Sequence, residues 1–231
     1  ISIVTSKGKM PGTAPNSPGY TGSVNKSSYS QKIHFQCIKL KIGAINFDKE
    51  MELLHFIRQN FDAKTIEIRV DANGAFMLDE ALSKLNQLSG FEIHSIEQPV
   101  AKNNTDSMAE LCRMTPLPIA LDEELIGVFD VVEKEQLLTK IKPQYIILKP
   151  SFIGGFKGTQ QWIDIANDQN ICWWITSALE SNIGLNAIAQ WTFTLGSEMP
   201  QGLGTGALFT NNFSSPLQVK NGTLCYNNKL N

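Results

Sequence analysis

The chain has 231 residues, 42% of them hydrophobic, with 20 Lys and Arg against 22 Asp and Glu and a formal net charge of -2. That length allows one large domain with a sizeable core. The small negative charge gives no footing for nucleic acid or an anionic membrane as partner, and no apolar run reaches the roughly 18 residues needed to cross a bilayer.

The first ten residues lack the charged start, the apolar run and the cleavage site of a signal peptide. There is no initial Met, which leads us to expect a fragment. Residues 7–31 carry several Gly, Pro and Ser and no helical or strand period, so 1–31 is expected to be irregular. Cys37, Cys112, Cys172 and Cys225 are far apart and form no CxxC pair, which predicts free thiols in a reducing cytoplasm.

From residue 35 a regular pattern starts. Residues 35–43 read as a strand with Lys39 and Lys41 on one face, and 47–60 as a helix with Met51, Leu54 and Ile57 at helical spacing. Residues 66–71 alternate as a strand and end on Asp71, before Asn73-Gly74 breaks the chain and a helix follows over 78–88. The next strand ends at Glu97 and is closed by Pro99. Helix 107–114 leads to a strand ending at Asp122, helix 129–140 to a strand ending at Lys149, and helix 159–170 to a strand running into Ser177 and Glu180. Helix 185–193 precedes the Gly-rich residues 201–209, which look like the last crossing from strand to loop. Asn221-Gly222 between two alternating runs predicts a hairpin.

Strand and helix thus alternate in six to seven units spaced by roughly 25–30 residues. The expected fold class is α/β, a (β/α)₈-type TIM barrel, with an open doubly wound sheet as runner-up. The expected division is an irregular segment 1–31, a barrel domain 32–210 and a tail 211–231.

Five ionisable residues end five successive strands: Lys41, Asp71, Glu97, Asp122 and Lys149. In a barrel they share one mouth. Three carboxylates there repel unless a cation neutralises them, and all-oxygen ligands favour a hard divalent ion, Mg²⁺ before Mn²⁺. A lysine beside such an ion can lose its proton and act as a base, which suits proton removal next to a carboxylate with the metal stabilising the enediolate. Lys39 and Lys41 share a face, so the period does not choose the base between them. Isolated His34, His55 and His94 read as surface or satisfied core residues, Trp173 and Trp174 as packing, and residues 202–206 as a tight turn rather than a phosphate loop.

The KxK of Lys39 and Lys41, the DAN at 71–73, the IEQP around Glu97, the DE at Asp122-Glu123 and the LKP at Lys149 resemble the enolase superfamily, muconate-lactonizing subgroup. The longer wording (CIKLKIG, RVDANGAF, PIALDEELIG, ILKPSFIGGF, ITSALESNIGLNAIAQ, PQGLGTG) resembles its o-succinylbenzoate synthase family, Bacteroidetes type, over about residues 32–220. The resemblance implies loss of water from a small carboxylate substrate in menaquinone synthesis. It implies Asp71, Glu97 and Asp122 as Mg²⁺ ligands, Lys41 as the base and Lys149 as the charge across the ring. It further implies Lys39, Arg69 and Asn73 as supporting residues and Ser177 as a contact to the substrate side chain. The family's N-terminal capping domain and first βα unit have no counterpart in residues 1–31. Two other readings are an acylamino-acid racemase or dipeptide epimerase of the same superfamily, and a non-catalytic barrel fragment.

Overall fold

The computed structural model describes residues 2–4 and 35–227. Strand β1 (Ser2–Val4) lies antiparallel on the edge of β2 (Cys37–Lys41), Val4 facing Cys37 and Ser2 facing Lys39. Five further strands follow in parallel and in chain order: β3 (Glu67–Asp71), β4 (Ser95–Glu97), β5 (Ile119–Leu121), β6 (Tyr145–Leu148) and β7 (Cys172–Ile175). Each of β2–β7 is followed by its crossover helix, in order α1 (Phe47–Asn60), α2 (Leu78–Ser89), α3 (Thr105–Met114), α4 (Val131–Ile141), α5 (Gly155–Asp168) and α6 (Asn182–Thr194). The hairpin β8 (Leu217–Lys220) and β9 (Thr223–Tyr226) turns on Asn221 and Gly222, both at positive φ as its two-residue loop requires.

The strands are apolar on one face and mixed on the other. Ile68, Val70, Ile96, Ile119, Leu121, Ile146, Leu148 and Ile175 form one buried cluster with helix residues such as Leu54, Leu85, Met108, Leu138, Trp162 and Leu185. This outer layer is the main core, and alternate positions are left to face inward. Among the described residues, Ala120, Ile147 and Trp174 make a second, small apolar cluster, with Tyr145 and Met199 against it.

The architecture is the expected barrel domain, but among the described residues its ring is not closed. The sheet runs from β1 to β7, and where an eighth strand would lie only a single parallel bridge joins Thr176 to Gly202. The expected irregular segment is corrected at Ser2–Val4, a three-residue edge strand too short to show a period; the rest of it, where the sequence offers no recognisable first βα unit, lies outside the described residues. Helix α5 starts four residues before the expected 159, because Gly154 and Gly155 take positive φ and Gly158 packs its bare Cα on the Ile153 carbonyl, 2.2 Å from where a Cβ would stand. Among the described residues no helix is long and apolar enough to cross a membrane. All four cysteines are free, as expected.

Candidate active site

The parallel register sets the site. Lys41 pairs with Asp71, and Asp71 with Glu97, so three consecutive strands present their last inward residue side by side. Asp122 follows β5 directly and Lys149 follows β6. Asp71, Glu97 and Asp122 are all buried. The Lys39 ammonium lies 2.7 Å from both Asp71 Oδ2 and Glu97 Oε2, and the Lys41 ammonium lies 2.7 Å from Asp71 Oδ2. Lys149 pairs with Asp122 Oδ2. The five expected residues and Lys39 thus form one continuous patch.

Their charges are strongly coupled. Burial pushes the Asp71 carboxyl up, but Lys39 and Lys41 outweigh it and hold it below the usual carboxylate range. Burial raises Glu97 well above that range; Lys39 opposes this, while Asp71 and Asp122 add to it. Burial lowers the Lys39 ammonium, yet Glu97 and Asp71 prevail and hold its proton above the ordinary lysine range.

As the side chains stand, no group of three or more His, Cys, Asp or Glu among the described residues is arranged to hold a metal ion. The cause is visible: Lys39 sits between Asp71 and Glu97, and Lys149 occupies Asp122. The donors nevertheless fit a hard cation. They are all carboxylate oxygens on adjacent strand ends, and buried Glu97 Oε1 has no hydrogen-bond partner.

Asn73, at φ 45°, accepts from Lys41 Nζ on its Oδ1 and donates its Nδ2 to Glu123 Oε1 at 2.6 Å. Arg69, expected as a supporting residue, makes its bonds away from the lysines and the three carboxylates. Its Nε donates to Glu67 Oε1 at 2.7 Å, its Nη1 to the Pro200 carbonyl at 3.2 Å, and its guanidinium lies 4.1 Å over the Trp174 ring, deeper in the interior. Ser177 is buried; its Oγ donates to Glu180 Oε2 at 2.7 Å, and its amide donates to the Gly202 carbonyl at 3.0 Å. Glu180 also accepts from Ser151 Oγ at 2.5 Å and from the Ala178 amide at 3.0 Å. Burial pushes its carboxyl up, but the Ser151 and Ser177 hydroxyls bring it below the ordinary range. Glu123 and Gln98 belong to the same patch; in the sequence they stand only inside the DE and IEQP motifs, with no role of their own.

Residues 25–229 match the family model described as Enolase C-terminal domain-like. The chain belongs to this family. Within it, the chain is 56% identical over 190 residues to an o-succinylbenzoate synthase of Desulfotalea psychrophila, covering 82% of this chain and 51% of that protein. The crystal structure of MenC from the same organism superposes with a TM-score of 0.79 at 54% identity, over 82% of this chain and 52% of that one. Muconate lactonizing enzyme from Pseudomonas putida superposes at 0.76 with 26% identity, over 84% and 54% of the two chains. The chain therefore spans about half the length of the enolase-type relatives it matches.

Proposed function

We propose that the chain carries the o-succinylbenzoate synthase reaction, loss of water from 2-succinyl-6-hydroxy-2,4-cyclohexadiene-1-carboxylate in menaquinone synthesis. The observation that carries this reading is the row Asp71, Glu97, Asp122 at one end of the sheet, flanked by Lys41 on one side and Lys149 on the other. The 56% identity to a protein of that name supports it. The Bacteroidetes subtype rests on the motifs alone, and a cytoplasmic setting on the free thiols.

Asp71, Glu97 and Asp122 would hold a divalent ion, Mg²⁺ or in its place Mn²⁺. Such an ion supplies positive charge against the substrate carboxylate. Lys41, as the neutral amine, takes the proton from the carbon that bears the carboxylate. The electron pair left behind forms the new ring double bond as the neighbouring C–O bond breaks. Lys41 returns its proton to the departing hydroxide, which leaves as water. The Lys149 ammonium balances the negative charge that builds up on the carboxylate. Lys39, clamped between Asp71 and Glu97, stays a counter-ion, and Asn73 and Glu123 aim Lys41.

A dipeptide epimerase needs an anion for the substrate ammonium, whereas an acylamino acid carries no ammonium. Glu180, the acidic residue of the 177–182 loop, is spent on Ser151, Ser177 and the Ala178 amide, which favours dehydration over dipeptide epimerisation. The test is Mg²⁺-dependent turnover of the cyclohexadiene by this chain, followed by the absorbance of the aromatic product. Turnover that a chelator removes and Mg²⁺ restores is expected. Folded, Mg²⁺-binding protein without turnover would turn the reading toward a non-catalytic barrel.

A further inference from the structure

Gln98 follows the second carboxylate of the row and is fully buried at φ 40°, a left-handed conformation that glutamine seldom takes. Its bonds run to three loops at once. Its carbonyl accepts from the Gly74 amide at 2.7 Å, in the turn after β3, and its amide donates to the Ala120 carbonyl on β5 at 3.0 Å. Its side-chain Oε1 accepts from the Asp122 amide at 3.3 Å and the Glu124 amide at 3.4 Å, while Nε2 donates to the Val100 carbonyl at 3.0 Å. Asp122 thus has its backbone held by a side chain from the neighbouring strand. We infer that Gln98 is a positioning residue for the cation site: it sets the Asp122 carboxylate against Glu97 and Asp71 by gripping the start of the turn that carries it. This rests on the divalent-cation reading above.

The fold supplies its own control. Gln144 does for the start of β5 what Gln98 does for its end: its Oε1 accepts from the Ile119 amide at 2.9 Å and its Nε2 donates to the Cys112 carbonyl at 3.2 Å. Both glutamines brace β5, but only Gln98 does so next to a carboxylate of the row. Replacing either by Met keeps the bulk and orphans buried backbone amides.

The experiment measures Mn²⁺ affinity by electron paramagnetic resonance, with thermal unfolding of the same samples, for the unaltered chain, Gln98→Met and Gln144→Met. Both variants are expected to lower Tm. Gln98→Met is expected to weaken Mn²⁺ binding about 10–100-fold, the usual effect of removing a group that orients a ligand, and Gln144→Met less than about twofold on the same scale. If Gln98→Met does not fold, Gln98→Asn replaces it: Asn accepts positive φ more readily, and its shorter amide cannot reach Asp122, so the same loss is expected. Equal Mn²⁺ affinity in the folded Gln98 variant and the unaltered chain overturns the inference alone, as does an equal loss in the Gln144 control. An unaltered chain that binds no Mn²⁺ overturns the cation reading and this inference with it.

Discussion

Lys39 and Lys41 have the same chemistry two positions apart, and their surroundings separate them. The Lys39 side chain is 16% exposed and ion-paired to two buried carboxylates. The Lys41 side chain is 51% exposed, pairs with one, and is steered by Asn73. A base must reach substrate and give its proton up again, so Lys41 suits the task and Lys39 does not. Lys41→Ala is expected to lower kcat by about 10²–10⁴-fold while Mg²⁺ binding, read by calorimetry, stays within about twofold, because the three carboxylates remain. Turnover at the unaltered rate would move the base elsewhere. Asp122→Asn also orphans the Lys149 ammonium, and is expected to raise the Mg²⁺ dissociation constant by about tenfold or more; an unchanged constant would remove Asp122 from the ligand set.

The elements are held by local chemistry that a sequence displays well in some places and not in others. Helices α1 and α4 start on side chains that accept from their own first turns, Asn46 from the Asp48 amide at 2.9 Å and Asp130 from the Val132 amide at 2.9 Å. The weak element is the segment after α6. Gly202 lies where a Cβ would come 2.2 Å from Thr176 Oγ1, and its carbonyl takes the Ser177 amide. Gly202→Ala is therefore expected to cost about 1–3 kcal/mol by overpacking, seen as a lower Tm, and adding Thr176→Ala should recover part of the loss. No recovery would place the strain elsewhere. The strands that end on Asp71, Glu97 and Asp122 were legible because inward and outward positions alternate, so a charge at the end of an apolar run stands out. The start of α5 was not, because Gly154 and Gly155 read as a loop while the packing of Gly158 on Ile153 is a contact between turns. Gln98 and Glu123 were hidden for a related reason. Their partners are the Asp122 amide and the Asn73 side chain, some 24 and 50 residues away along the chain, and no local period reports such a bond. The same holds for Arg69, whose partners Trp174 and Pro200 come from the far end of the domain.

At the scale of the whole molecule, cation binding, protonation and stability are linked through the carboxylate row. The Glu97 carboxyl stands above its ordinary value, so the folded chain holds that proton more tightly than the unfolded one. Its contribution to stability is complete below the unfolded carboxylate value of about 4.3 and is lost as pH rises through the folded value. Asp71 has the opposite sign. Its folded value is depressed, so its contribution is present above about 3.9 and is lost as pH falls through the folded value. A divalent ion held by the row would compete with the Glu97 proton. Mg²⁺ should therefore raise Tm more as the pH rises. At a hundredfold excess over its dissociation constant the ion would add about 2.7 kcal/mol, several degrees of Tm at this chain length, and that increment should be smaller at a lower pH than at a higher one, because Glu97 is held protonated above its ordinary range. Thermal scans with and without Mg²⁺ at both pH values measure it. Glu97→Gln, which cannot ionise, should lose most of the increment at both. An increment that is the same at both pH values in the unaltered chain would mean that Glu97 does not face the ion.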